Sequence, residues 1–329
     1  MSALSAWWAR WESFWDEREH PLPVALVRIF LGLCFVYDFA HIWQLGLIEP
    51  LFVMAEAGGV SDGFMRDDPV WLYRILPPTA WAGHLHHAVL LISAVTFTLG
   101  LFTRTSAVTL LVASASFSAI MPYSDRGIDS LIRSALCILV LSPAGKTLSL
   151  DALMRTGSIF GDGRPEPMWA RRLLIGQIVL MYFDAGISKT GITWWPMGHF
   201  SALYFALQDP AVAAYDYSGF IREPFSFFMT QLGAAGTMVY QYTYPFVLVL
   251  LWWRRHPERA GRVGRFLVKW RFEYLWIIVG FVFHIILGFS MNLGIFPWAM
   301  MSLYPVWLTA GEWERVLSFR RWTVAESGT

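Results

Sequence analysis

The sequence predicts an all-α fold: a polytopic bundle of about eight membrane-crossing helices, preceded by an amphipathic helix lying in the membrane interface. Three observations predict it. The 329 residues are 56% hydrophobic and only 15% charged, whereas soluble chains carry about 25% charged residues. There are 18 tryptophans, and the mean hydropathy is +0.47, which suits a chain in contact with lipid and its interfaces. The apolar residues fall in long runs separated by charged loops.

The elements follow in order. The N-terminal stretch MSALSAWWARWESFWDEREHP (1–21) is charged throughout and has no signal-peptide core. Trp7, Trp11 and Trp15 are spaced to share one helical face, with Phe14 beside them. This reads as the interfacial helix. Apolar runs long enough to cross then fall near 22–46, 83–102, 105–122, 128–143, 171–188, 234–253, 272–292 and 294–310. Residues 22–320 form one transmembrane domain and 321–329 a short cytoplasmic tail. The piece PFSFFMTQLG (224–233) is too short to cross alone and reads as interfacial or re-entrant.

Loop charge sets the orientation. One side holds the N-terminus, Arg104, the 144–172 loop with Lys146, Arg155, Arg164, Arg171 and Arg172, the basic loop RRHPERAGRVGRFLVKWR (254–271), and Arg315, Arg320 and Arg321. The other side holds Glu49, Glu56, Asp62, Asp67 and Asp68 against Arg66 and Arg74, then the Asp125–Arg126 turn and the 189–222 loop. Both termini are therefore expected in the cytoplasm, most simply at a bacterial inner (plasma) membrane. Lys189 then faces the opposite side.

Several classes are disfavoured. A net charge of +1 gives no footprint for nucleic acid. Cys34 and Cys137 sit singly in apolar runs, without a CxxC, and read as small buried residues. His84, His86 and His87 lack ligand spacing, so no metal is expected. No internal repeat or matched pair of broken spans points to a transporter.

Polar groups inside the apolar runs are the functional candidates, because a charge at membrane depth is costly. Arg28 lies near the cytoplasmic end of the first run and reads as snorkelling. Asp38 is deeper, needs a partner, and is ~15 Å along the helix from Arg28. Asp129 and Arg133 have the spacing of an ion pair within one helix, or Asp129 points into a cavity. His284 is mid-run, with Met291 and Asn292 roughly on its face; it is either a satisfied core residue or a proton relay.

The stretch YFDAGISKTGITWWPMG (182–198) puts Asp184 and Lys189 at the end of a span, followed by Trp194 and Trp195. A desolvated lysine here can act as a base. Alternatively Asp184 holds it as a cation and the pair is an anchor.

This stretch resembles the membrane domain of vitamin K-dependent γ-carboxylases and their wider bacterial relatives, the HTTM (horizontally transferred transmembrane) proteins. VRIFLGLCFVYDFAHIW (27–43), DRGIDSLIRSALCILVLSPAGKTLSLD (125–151) and FVFHIILGFSMNLGIFPWAM (281–300) fit the same pattern. The resemblance implies a quinol cofactor such as vitamin K hydroquinone, a lyase-type carboxylation, and Lys189 as the base that deprotonates the quinol. With Lys189 as base, His284 and Asp129 are the further catalytic candidates, to orient the cofactor or relay protons, and Trp194, Tyr182 and Asn292 are candidates for holding the cofactor. Asp129 stands where the carboxylases have a histidine, and Asp184 where their motif is apolar. The large lumenal β-rich part of the carboxylases has no counterpart in these residues. The second functional class is a non-catalytic membrane protein that binds a lipid or peptide, as in maturation of a secreted peptide.

Overall fold

The computed structural model describes residues 3–61, 71–121 and 126–317. Asp62, Arg66, Asp67, Asp68, Asp125, Arg320 and Arg321, which entered the charge argument, lie outside the described residues, as does the 321–329 tail. The regular structure of the described chain is nearly all helical. Its helices are α1 (Ala3–Asp16), α2 (Leu22–Gln44), α3 (Ile48–Phe52), α4 (Ala80–Leu99), α5 (Thr103–Ile120), α6 (Gly127–Leu141), α7 (Leu150–Thr156) and α8 (Trp169–Ile187). Then come α9 (Ala202–Ala206), α10 (Ser218–Arg222), α11 (Pro224–Thr243), α12 (Phe246–Arg255), α13 (Gly261–Lys269), α14 (Glu273–Ser290), α15 (Phe296–Ser302) and α16 (Ala310–Leu317). One two-residue antiparallel pairing joins β1 (Arg18–Glu19) to β2 (Glu166–Pro167).

The chain forms two compact units: Met1–Ile175 with Pro305–Thr329, and Gly176–Tyr304. In the first, α2 packs on α4, α4 on α5 and α5 on α6, so consecutive helices are neighbours. In the second, α11 packs on α9, α12 on α13, and α14 on α15.

Among the described residues, three helices are long and apolar enough to cross a membrane: α2, α4 and α14. Helix α14 makes the physical case most clearly. Leu275, Ile278, Phe281, Val282, Ile286 and Phe289 are all exposed on it. In water such a surface would be a large unfavourable apolar area; in lipid it is the ordinary exterior of a span. Helix α1 forms as expected and exposes Trp7, Trp8 and Trp11, with the Trp7 and Trp11 rings stacked at 5.8 Å.

Three sequence boundaries change. The piece 224–233 is the first half of the 20-residue helix α11, with Pro224 at its first turn, where a missing N–H costs nothing. The run 234–253 is not one helix: Tyr244 and Pro245 separate α11 from α12, as expected where proline interrupts a helical ladder. The run 294–310 is broken into α15, a 3-10 turn at Tyr304–Trp307, and the start of α16.

Two expectations about polar groups are also corrected. Arg28 does not snorkel. It is 0% exposed and donates to the carbonyls of Ala144, at 2.9 Å, and Leu148, tying α2 to the loop after α6. Two loop carbonyls shielded from water need donors, and a buried guanidinium supplies them in the fold. Cys137 is exposed on α6 rather than buried.

Candidate functional site

Each unit holds a polar cluster. In the second unit, Tyr182 projects from α8, Tyr240 and Tyr244 from the end of α11, His284 from α14, and Tyr304 follows α15. The Tyr182 hydroxyl lies 2.7 Å from His284 Nε2 and 2.6 Å from the Tyr304 hydroxyl. The Tyr182 and Tyr244 rings stack at 4.1 Å, and Tyr240 meets both edge-on. The Tyr240 hydroxyl donates to the Trp276 carbonyl at 3.1 Å.

The local sequence explains the convergence. Tyr240 and Tyr244 are one helical turn apart and so face the same way. Gly280 lies one turn before His284 and lets the hydroxyls approach α14. A Cβ on Gly280 would stand 2.0 Å from the Tyr240 hydroxyl and 2.2 Å from that of Tyr304. Tyr182 carries one proton, so it can donate to only one of these two neighbours. His284 is 0% exposed, and its Nδ1 has no hydrogen-bond partner among the described residues.

Lys189 belongs to the same unit. Helix α8 ends at Ile187, so Lys189 lies just beyond it. Its ammonium donates to the Ala185 carbonyl at 2.7 Å and stands 5.0 Å over the Trp194 ring. The Trp195 indole N–H donates to the Lys189 carbonyl at 3.0 Å and so pins its backbone. Asp184 is exposed and makes no ion pair with Lys189. Burial pushes the lysine pKa down from its ordinary value, because desolvation penalises the charged form and no carboxylate compensates.

In the first unit, Asp129 opens α6 and takes Arg126, not Arg133, as its partner. Arg126 donates to Asp129 through Nε and Nη2, both at 2.9 Å, and its backbone N–H meets the same carboxylate at 2.8 Å. Asp129 is the third helical residue, so it can reach back to the cap. Arg126 Nη2 also reaches Asp38 at 3.2 Å, giving the half-buried carboxylate of α2 its partner. Arg133 donates to Ser130 Oγ at 3.3 Å. The cluster borders a cavity of about 220 Å³, lined by Phe35, Phe39 and Phe117 among others.

Of the six residues expected at a site, the structure joins Tyr182 to His284 and Lys189 to Trp194. Asn292 does not share the face of His284, because α14 ends at Ser290 and Met291 is extended. Its amide instead donates to the Ala213 carbonyl at 3.0 Å. Asp129 belongs to the other unit. Tyr240, Tyr244, Tyr304 and Arg126 escaped the sequence reading. The four-residue spacing of Tyr240 and Tyr244, inside an apolar run, was the signal available.

The lipid-facing exterior and the buried polar clusters place this chain among the α-helical membrane proteins. It belongs to the HTTM domain family, whose model matches residues 17–254. The match includes Asp129, Tyr182, Lys189 and Trp194 and stops before His284. No curated protein and no solved structure is significantly similar to the chain.

Proposed function

We propose that the chain is a multi-pass membrane enzyme that uses a lipid-soluble quinol, with Lys189 as the base. The observation that carries this reading is the setting of the Lys189 ammonium. It has one carbonyl and one indole face as neighbours and no counter-charge. A structural anchor would pair it with Asp184. The donor set suits a quinol: an amine with a lowered pKa can take a phenolic proton, and an indole face can stack on an aromatic ring.

When bound, a quinol supplies an acidic O–H and two reducing electrons. The chain's own part is to take and hold the proton at Lys189 Nζ. The Trp194 ring screens one side of that nitrogen from water, and the Trp195 bond to the Lys189 carbonyl fixes where the side chain starts. The Tyr304–Tyr182–His284 chain is a hydrogen-bonded path in the same unit, suited to moving a proton. The reading includes about eight crossings in a bacterial inner membrane with both termini cytoplasmic, supported by loop charge. Cysteines at Glu258 and Glu56 would test that topology; labelling of both from one side overturns it.

The functional test is a quinol-binding titration and turnover assay on the purified protein. Lys189→Ala should stay folded and lose quinol-dependent turnover. Full activity in Lys189→Arg, which cannot act as a base at ordinary pH, would end the case for this residue. Saturable binding of lipid or peptide without any turnover would favour the non-catalytic class.

A further inference from the structure

We infer that α13 is a lipid-binding surface, seated in the membrane interface beside α14 and selective for anionic headgroups. Its sequence, GRVGRFLVK, presents three faces at helical spacing. Gly264 is buried and forms the packed face: a Cβ there would stand 2.9 Å from the Ala260 Cβ and 3.0 Å from the Trp253 ring. A second face carries Arg262, Arg265 and Lys269, all exposed. Between that face and the packed one runs an apolar edge, with Val263 at 70%, Phe266 at 56% and, just past the helix, Trp270 at 64% exposed.

An apolar edge alone would say little about what covers it. The charge beside it does. Arg262, Arg265 and Lys269 have no acidic partner among the described residues. The neighbouring bases are engaged otherwise: Arg254 and Arg271 with the buried Glu273, and Arg259 with Glu258. Three unneutralised cations beside exposed Val, Phe and Trp match an anionic lipid surface, where phosphates meet the bases and acyl chains meet the rings.

Connectivity puts the helix in reach of that surface. Trp270 is three residues before Glu273, where the membrane-crossing helix α14 begins. Three residues span at most ~10 Å, so α13 cannot leave the headgroup region at that end of α14. This placement of α13 holds on either side of the membrane and whatever the role of Lys189.

The test uses the full chain in nanodiscs of phosphatidylcholine alone or mixed with phosphatidylglycerol. With Cys34→Ala and Cys137→Ala as background, Val263→Cys carries an environment-sensitive fluorophore. In anionic discs the label should shift to the blue and be quenched by spin-labelled lipid, and salt should weaken both effects. Arg262→Gln, Arg265→Gln and Lys269→Gln together should weaken anionic-lipid binding at this surface on the order of 100-fold and abolish the difference between disc types. These side chains are exposed, so the triple variant should fold; the salt series on the protein with its bases intact gives a second reading. A label that stays in water in both discs, as for a surface reserved for an acidic protein, would overturn the inference. So would a label buried equally in both and indifferent to salt.

Discussion

Tyr182 and His284 are 102 residues apart in sequence, yet the hydroxyl of one lies 2.7 Å from Nε2 of the other, inside a cluster of four tyrosines. The bond links the stretch that ends in Lys189 to the apolar helix α14. Tyr182→Phe should leave His284 Nε2 and the Tyr304 hydroxyl each without that partner. A buried polar group left unsatisfied costs about 1–3 kcal/mol. Thermal unfolding in detergent should register the loss, and Tyr182→Phe with His284→Leu should cost less than the sum of the single changes. Strict additivity would mean the two residues are not coupled.

Gly280 offers a sharper steric test. An added methyl would meet the Tyr240 and Tyr304 hydroxyls at 2.0 and 2.2 Å. Gly280→Ala should therefore push the hydroxyls off α14 and lower the melting temperature. Gly236, within α11 of the same unit, has nothing within 4 Å of an added Cβ. Gly236→Ala should be neutral, or stabilising by up to about 1 kcal/mol through helix propensity. Equal effects at the two glycines would show that the hydroxyl cluster does not press on Gly280.

In the first unit, Arg126 serves two carboxylates, Asp38 and Asp129. Their side chains are only 20% and 14% exposed, so Arg126→Gln strands two like charges. Removing one partner of a fully buried pair costs about 3–5 kcal/mol; the Arg126 side chain is 40% exposed, so solvent screening should bring this cost below that range. Adding Asp38→Asn to Arg126→Gln should recover part of the loss. If it deepens the loss instead, the pairing described here is wrong.

How far this was legible depended on whether a feature was local. The helix class, the helix α1 with its row of tryptophans, and the end of α8 before Lys189 all follow from runs and short spacings. What failed turned on a distant partner or on where a helix begins and ends. Arg28 looked like a snorkelling residue because the sequence cannot show the carbonyls of Ala144 and Leu148 waiting more than a hundred residues away. Asp129 looked paired with Arg133 because four-residue spacing is favourable, but the cap position gave Arg126 a bidentate geometry and a second carboxylate. Asn292 looked aligned with His284 only while α14 was assumed to continue.

Lys189 carries the last prediction. Its folded pKa lies below the ordinary lysine value, so the folded chain holds this proton less tightly than the unfolded chain does. The residue therefore costs stability at pH below its folded pKa, and that cost fades as pH rises toward the ordinary value of about 10.4. The chain has three lysines, Lys146, Lys189 and Lys269, so isotope-labelled lysine NMR can follow each one, with Lys189→Arg giving the assignment. The Lys189 signal should titrate below the ordinary midpoint. Asp184→Asn should leave that midpoint unmoved, because the exposed carboxylate makes no pair with the ammonium. A midpoint at or above the ordinary value, falling when Asp184 is neutralised, would identify an ion-paired anchor and remove the physical basis for Lys189 as a base.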